Sequence, residues 1–260
     1  MSEMYHHGIK GMHWGIRKKE SVTTDFSYGQ EGSKQIKKHS DGSKTFPVGF
    51  VFNRVGQETL DLNQSGALYV SYGKQDAARY VKSLGPTLVG KLLGTAGTTI
   101  QHISVKEPLK VPSDETVAKE TASLLLSNKK LRDNFNESIY SMVVTEDFTK
   151  QITSDDLQKA IKNPSGKDAQ KLAYGVSSFL GDGNYADDSK IVYDHFRSKG
   201  YDAIPDLHDT LSGTSTSATI VINPKKVNVT STTLITKDVM SSGKDYVKTL
   251  EKLPVSDLIS

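Results

Sequence analysis

The amino-acid sequence predicts an α+β fold in which strands from both ends of the chain flank a helical middle region. Residues 46–111 and 201–235 contain runs of β-branched and aromatic residues, whereas apolar residues in 113–199 recur at helical spacing. Strands before and after a run of helices favour one sheet with helices packed on it. We therefore expect the early and late strands to share one mixed sheet.

Composition excludes several classes of protein. The chain has 260 residues, no cysteine, and 24% charged residues, so disulfides and thiolate metal sites are excluded. No apolar run approaches the roughly 18 residues that a membrane span needs, and the N-terminus lacks the apolar core of a secretory signal. We expect a protein that is made and kept inside a cell, or leaves it by a route that needs no such signal, and that makes no contact with membranes.

Charge divides the chain into a basic tail and a neutral remainder. Residues 1–44 carry eight Lys or Arg and five Asp or Glu, which accounts for the whole net charge of +3. Nucleic-acid contact is therefore expected to be weak at most, because so few charges can neutralise few phosphates. The predicted organisation is a flexible tail over 1–45, an α+β domain over 46–236 with a helical insert at about 113–199, and a polar C-terminal tail over 237–260.

In the first half of the chain, the sequence predicts strands on either side of one helix and one loop. A buried helix face and a closing glycine indicate the helix, and glycine-rich composition indicates the loop. The expected elements are a strand over 47–56, a short strand over 68–71, a helix over 74–85, a loop over 90–97, a strand over 98–105 and an edge strand over 108–112.

The later elements begin at capping residues and end at glycine or proline. Ser113 caps the first helical stretch, and Thr153 or Ser154 caps the next. The expected helices cover 113–144, 153–161, 168–180 and 188–199, with Gly200 ending the last one. Strands are expected at 203–204, 218–224 and 225–235.

The N-terminal tail contains one island of distinctive composition, residues 5–19. It holds the only tryptophan, Trp14, beside Arg17, and three glycines that allow unusual backbone angles. Trp and Arg anchors on a flexible segment are typical of a peptide that docks into another protein. Two other interpretations remain open, namely a disordered basic tail and metal binding by His6, His7 and His13. No acid or cysteine completes a metal ligand set, so no metal site is predicted.

The island resembles the His-x-Gly-Ile-Lys-Gly-x-x-Trp-Gly-Ile/Val-Arg motif of tailed-bacteriophage head and virion proteins. The resemblance implies docking to other virion proteins of the head or portal region, with the protein in virions and, during assembly, in the host cytoplasm. The residues that carry the motif are His7, Gly8, Lys10, Gly11, Trp14, Gly15 and Arg17.

Three groups of side chains could form a site in the domain. An Arg fork suits a phosphate or carboxylate, Tyr rings stack on planar groups, and a carboxylate can stabilise a developing cation on a sugar. The candidate catalytic residues are Arg54, Ser71, Asp206 and Asp209, and the candidate cofactor-binding residues are Arg54, Tyr69, Tyr72 and Tyr80.

The order of these elements resembles the ADP-ribosyltransferase fold. Arg54 lies on a first strand, Ser71 on a second, and residues 200–204 read Gly-Tyr-Asp-Ala-Ile before a late strand at 220–227. The resemblance implies NAD as cofactor and a host protein as target. Active members carry a Glu just before the late strand, whereas this chain reads Ser215-Thr216-Ser217, with no acid between Asp209 and Asp238.

Two functions are therefore expected. The first is a bacteriophage virion-associated structural protein with a degenerate nucleotide-type site, docked through its N-terminal motif. The alternative is a virion-delivered mono-ADP-ribosyltransferase that uses NAD on a host target. In a purely structural interpretation of the domain, Arg54 pairs with Asp202 or Asp206 to hold strands together.

Overall fold

The structure is a computed structural model that describes residues 36–56, 62–72, 76, 80, 99–142, 151–211, 215 and 217–234. The predicted docking segment 5–19, the predicted loop 90–97 and the predicted tail 237–260 lie outside these residues. Most of the helix predicted over 74–85 also lies outside them, although Asp76 and Tyr80 are both helical.

The described residues confirm the α+β class, with strands before and after a group of helices. The strands are β1 (Lys37–Lys38), β2 (Lys44–Phe46), β3 (Val51–Gly56), β4 (Leu68–Val70), β5 (Thr99–Val105), β6 (Leu109–Val111), β7 (Ala203–Pro205), β8 (Thr219–Val221) and β9 (Val227–Leu234). The helices are α1 (Asp114–Ser127), α2 (Lys129–Met142), α3 (Ser154–Lys162), α4 (Lys167–Gly181), α5 (Ala186–Ser198) and α6 (Leu207–Leu211).

The strands form three small antiparallel sheets with the orders β1-β2-β6, β3-β5-β9 and β4-β8-β7. One backbone pair, Asn53 with Ser71, joins β3 to the end of β4. Early strands thus pair with late ones in two of the sheets, as the sequence predicts, but the strands divide among three antiparallel sheets where one mixed sheet was expected. This pairing brings residues near position 70 beside residues near positions 205 and 220.

Each sheet face meets a different apolar cluster. In the β4-β8-β7 sheet, Tyr69, Ile204 and Ile220 share one face and pack with the helices, and we call this the helix-side face. Leu68 and Val221 point the other way into a cluster with Phe46, Phe50 and Phe52. The rings of these three phenylalanines lie 4.7–5.0 Å apart between centroids. We call the second face the aromatic-side face.

The predicted capping residues lie at helix ends, but the stretch predicted over 113–144 divides at Asn128 into α1 and α2. Ser113 accepts a hydrogen bond from the backbone N–H of Thr116, and Thr153 forms a reciprocal capping box with Asp156. At the end of α5, Gly200 has a φ of 81° and the Tyr201 N–H donates to the Phe196 carbonyl at 3.1 Å. This is a Schellman ending, which a residue with a Cβ would strain.

The strand predicted over 47–56 is shorter in the structure. Residues 47–50 form a turn, because the Phe50 N–H donates to the Pro47 carbonyl at 3.1 Å and Gly49 has a φ of 82°. A positive φ at the third position of a turn favours glycine. The strand predicted over 47–56 therefore begins only at Val51.

The folded domain also begins earlier than residue 46. Strands β1 and β2 pair with each other, and β2 pairs with β6. These strands are lysine-rich and lack apolar alternation, so they carry little sequence signal. The signal that does exist is the turn between them, where Gly42 has a φ of 77°.

We expect Gly175→Ala to destabilise the domain. A Cβ at position 175 of α4 would lie 2.7 Å from Ile139 Cδ1 and 3.3 Å from Phe135 Cζ on α2. Overpacking of this kind costs about 1–3 kcal/mol. Urea denaturation measures the loss, and Lys130→Ala on the exposed side of α2 should stay within about 0.5 kcal/mol of wild type. A fully stable Gly175→Ala variant would contradict this packing.

Candidate functional site

A cluster of buried carboxyl groups and tyrosines lies where β7 ends and α6 begins. Asp206 leaves β7 with its N–H bonded to the Ala218 carbonyl at 3.0 Å, and its carboxylate accepts the Asp209 N–H at 3.3 Å. Asp206 therefore acts as the N-cap of α6. A short helix at this point was not predicted, because five residues are too few to show helical periodicity.

The second acid of the cluster, Asp209, contacts two side chains. The Tyr80 hydroxyl donates to Asp209 Oδ2 at 2.5 Å, and His208 Nδ1 lies 3.5 Å from Asp209 Oδ1. The Tyr174 ring lies 5.2 Å from the His208 ring between centroids. A tyrosine, a histidine and a second tyrosine therefore surround this carboxylate.

The third acid, Asp76, fixes the loop before β8. Ser215 Oγ donates to Asp76 Oδ2 at 2.9 Å, and Ser217 Oγ donates to the same oxygen. Ser217 Oγ in turn accepts the Tyr72 N–H at 2.9 Å. Asp76 is fully buried. A carboxylate therefore lies beside Ser215 and Ser217, at the place where the resemblance leads us to expect a Glu. It belongs to Asp76, which follows β4 in the sequence.

Burial dominates the electrostatics of the cluster. It raises the pKa of Asp206 to about 7, and the neighbouring Asp209 carboxylate adds to this effect. Burial also raises the pKa of Tyr69, to which Tyr193, Asp206 and Asp209 contribute. The Asp209 carboxylate, whose Oδ1 lies 3.5 Å from His208 Nδ1, raises the pKa of His208 against the opposing effect of burial, with smaller support from Asp206. At neutral pH the Asp206 carboxyl can therefore retain a proton.

The structure brings together four of the residues predicted to form the site. Tyr80 bonds Asp209, and Tyr69 lies close enough to Asp206 and Asp209 for their charges to raise its pKa. Ser71 follows β4 on the same face as Tyr69, because alternate residues of a strand point to the same side. It is therefore on the helix-side face, with the acids.

Arg54 and Tyr72 lie on the opposite, aromatic-side face. Tyr72 packs edge to face against Phe46 and Phe52. Arg54 Nη1 donates to Gln101 Oε1 at 3.1 Å, and the guanidinium lies over Gly56 on the same strand. Asp202, the other acid considered for Arg54, bonds Lys226 Nζ at 2.9 Å and Asn223 Nδ2 at 3.1 Å.

The sequence missed a buried histidine on β5. His102 on β5 is 1% exposed, and its Nδ1–H donates to Asn53 Oδ1 at 3.1 Å. Burial lowers the pKa of His102 to about 4, so the ring is neutral at pH 7. Asp76 was missed as well, because an acid on a predicted helix is usually solvent-exposed.

Two further features limit what the described residues can do. No group of three or more His, Asp or Glu side chains in the described ranges is arranged to hold a metal ion. In the same part of the chain, every helix is too short or too polar to cross a bilayer.

Similarity to known proteins assigns no family. No protein-family model matches the chain, and comparisons with curated proteins and with solved structures give no match. The function is therefore inferred from the sequence motifs and from the geometry of the site.

We predict opposite pH dependences of stability for variants of Asp206 and His102. The unfolded pKa of Asp206 is near 3.8 and the folded value is about 7, so the folded chain retains a proton in this window that the unfolded chain has lost. Stability contributed by this group therefore falls as pH rises from 4 to 7. Asp206→Asn keeps the helix cap and should gain stability over wild type as pH rises.

For His102 the sign is reversed. The unfolded ring binds a proton below pH 6.5 and the folded ring only near pH 4, so folding loses on the order of 3 kcal/mol across that window as pH falls. His102→Gln should therefore gain stability over wild type as pH falls from 6.5 to 4. Urea denaturation of both variants and wild type at each pH measures the differences. Two difference curves of the same slope would contradict these assignments.

Proposed function

We propose that the chain is a bacteriophage virion-associated structural protein that docks to the head or portal region through residues 5–19. In this proposal the folded part is an ADP-ribosyltransferase-like sheet whose nucleotide-type site has degenerated. The observation that carries the proposal is the N-terminal segment, which matches the virion-protein motif from His6 or His7 to Arg17 almost without departure.

The geometry of the domain supports the degenerate form of the site. Arg54 and the acids lie on opposite sheet faces, so the guanidinium and the carboxylates do not face one common space. Ser215 and Ser217, at the place where active transferases carry a Glu, donate hydrogen bonds to Asp76. Asp209 accepts the Tyr80 hydroxyl in the same way. The carboxylates therefore hold the fold together.

One observation favours a second function, that of a virion-delivered mono-ADP-ribosyltransferase. The buried carboxylate of Asp76 lies beside Ser215 and Ser217, where the resemblance leads us to expect a Glu. In this reaction the bond between ribose C1′ of NAD and nicotinamide breaks and nicotinamide leaves. A nucleophile of a host protein then bonds to C1′ and gives up its proton, while a carboxylate stabilises the cationic sugar.

Removal of the N-terminal segment tests the proposed function. We expect phage particles assembled with a chain lacking residues 1–20 to lose the protein, and Trp14→Ala to lower its copy number at least several-fold, because aromatic anchors dominate such contacts. Met12→Ala is the matched control, since Met12 occupies a variable position of the motif. Quantitative mass spectrometry of purified particles measures the copy number. Normal incorporation of the truncated chain would rule out docking by this segment.

Labelling of host proteins from NAD tests the second function. If the chain is a transferase, NAD-dependent ADP-ribosylation of a host lysate should appear with wild type and fall at least 100-fold with Arg54→Ala, because the Arg fork is expected to bind the phosphates. Arg132→Ala is the control, since Arg132 bonds Ser154 far from the sheet. Absence of labelling with wild type would exclude the transferase for the targets in that lysate.

A further inference from the structure

Seven lysines gather where the β1-β2-β6 sheet meets the turn before β9. Five of them are exposed, and two, on β2 and in the turn, are half-buried. The seven are Lys37, Lys38, Lys44, Lys106, Lys110, Lys225 and Lys226. We call these residues the lysine surface.

One row of the β1-β2-β6 sheet points toward solvent. Lys37 lies opposite Thr45 on β2, and Thr45 lies opposite Lys110 on β6. Residues directly opposite each other in antiparallel strands share a face. The neighbouring pair, Phe46 with Leu109, is buried in the aromatic cluster. Because successive side chains of a strand alternate between faces, the row with the two lysines lies on the other, solvent side.

The lysine surface continues past β6 to the turn before β9. The Lys110 N–H donates to Asp202 Oδ2 at 3.1 Å, and Lys226 Nζ lies 2.9 Å from Asp202 Oδ1. The Lys106 N–H donates to the Lys226 carbonyl at 2.8 Å. Neighbouring strands lie about 4.8 Å apart, so the distance from β1 across β2 and β6 to residue 202 is about 14 Å.

Positive charge is concentrated at this surface. The seven lysines are accompanied by three acids, Asp41, Glu107 and Asp202, which leaves a net charge of +4. The other described residues contain twelve Lys or Arg and fifteen Asp or Glu, a net charge of −3. The folded domain is therefore polarised, although counts along the sequence make it look neutral.

Most of these lysines have no acidic partner, in contrast to lysines on the helices. Lys129, Lys159 and Lys190 lie 2.7, 3.7 and 2.8 Å from acids of their own helices. Of the seven lysines, only Lys226 forms an ion pair within the described ranges.

Two lysines of the surface repel each other. Lys38 and Lys44 are directly opposite each other in β1 and β2. Like charges in such a pair destabilise a sheet. A bound anion would relieve this repulsion, so the surface is suited to a partner with many negative charges.

The chemistry of the surface favours a phosphate backbone over an acidic protein. Protein interfaces are centred on apolar and aromatic side chains and are depleted in lysine. Of the large apolar side chains that are exposed in the described part of the chain, Leu126 and Ile191 lie on helices and only Val48 follows β2. The lysine surface therefore lacks the apolar centre that a protein partner needs, whereas ammonium groups contact phosphates as point charges.

A duplex fits this surface better than a single strand. Proteins that bind single strands stack bases on aromatic rings. The Tyr201 ring beside the row is already covered by Lys110, whose Nζ lies 5.2 Å from the ring centroid. Duplex DNA carries one charge per about 1.7 Å of its axis, so about eight phosphates lie along 14 Å of the surface.

We propose that the lysine surface binds the phosphate backbone of duplex DNA without sequence preference. Contacts to phosphates position a duplex and carry no sequence information. The proposal goes beyond docking by residues 5–19 and is independent of it, because it uses residues of the folded domain. It also replaces the expectation of weak nucleic-acid contact, which counted charge along the chain and not on the folded surface.

Fluorescence anisotropy tests this proposal, with the full chain titrated into labelled duplexes of about 20 base pairs and two unrelated sequences. Both duplexes should bind equally. Between about 50 and 200 mM NaCl, the logarithm of the binding constant should fall against that of the salt concentration with a slope of about −3, because each neutralised phosphate contributes about −0.9. A triple variant with Lys37→Gln, Lys110→Gln and Lys225→Gln should bind at least about 10-fold more weakly at 50 mM NaCl, with a shallower slope.

A matched control removes the same charge from the helices. The variant with Lys129→Gln, Lys130→Gln and Lys162→Gln should bind as wild type does. The melting temperatures of both triple variants should stay close to that of wild type, because all six lysines are exposed. Weaker binding by the first variant alone is therefore not explained by loss of the fold or by loss of overall charge.

A second control addresses the basic tail. The variant with Lys18→Gln, Lys19→Gln and Lys34→Gln should lose less affinity than the variant of the lysine surface. Unlabelled poly-glutamate at equal charge should compete less well than unlabelled duplex, because its charges are more widely spaced along the chain.

Three outcomes would overturn the proposal. The first is that wild type does not bind either duplex at about 50 mM NaCl, where phosphate contacts are strong. The second is binding that depends on the tail lysines or the helix lysines as much as on the lysine surface. The third is equal competition by poly-glutamate, which would indicate an acidic protein as partner. None of these results bears on docking by residues 5–19, because that test counts the protein in particles.

Discussion

One backbone pair determines how the two halves of the domain meet. The Asn53 N–H donates to the Ser71 carbonyl at 2.6 Å and the Ser71 N–H donates to the Asn53 carbonyl at 2.9 Å. Through this pair the β3-β5-β9 sheet continues into the β4-β8-β7 sheet. The faces on either side of the pair are thereby aligned, with Asn53 and Ser71 on one face and Arg54 on the face of the aromatic cluster. This alignment decides which candidate residues can act together.

The sequence predicted the helices well because their signals are local. Ser113 and Thr153 cap helices, Gly200 ends one, and apolar spacing marks the buried faces between them. The pairing of early with late strands also followed from element order. The Lys-rich strands β1 and β2 were missed, because their stability comes from pairing with β6 and not from an apolar pattern. The extent of β3 was overestimated because Pro47 and Gly49 form a turn that looks extended in sequence.

The sequence predicted which residues belong to the candidate site better than it predicted how they are arranged in space. Asp206, Asp209, Tyr69 and Tyr80 were all named from their chemistry, and they do lie together. Arg54 was grouped with them because it precedes a strand end, yet a residue's sheet face depends on register, which a single sequence does not reveal. The same limit hid Asn53, His102 and Ser231, which are separated by up to 178 positions in the chain and become neighbours only through strand pairing. Asp76 was missed for a related reason. Its hydrogen-bond partners Ser215 and Ser217 are distant in sequence, so no local pattern indicates the contact.

The polar edge of the β1-β2-β6 sheet has a consequence for crowded conditions. β1 is only two residues long, and both Lys37 and Lys38 are exposed. A sheet edge with open backbone groups can recruit a strand of a second molecule, and short, lysine-bearing edges oppose this by charge repulsion and by offering few hydrogen bonds. Copies of the domain that are concentrated in a small volume would therefore resist joining through this edge into a continuous intermolecular sheet. The same residues that conceal the strand from sequence analysis thus protect the folded protein from aggregation.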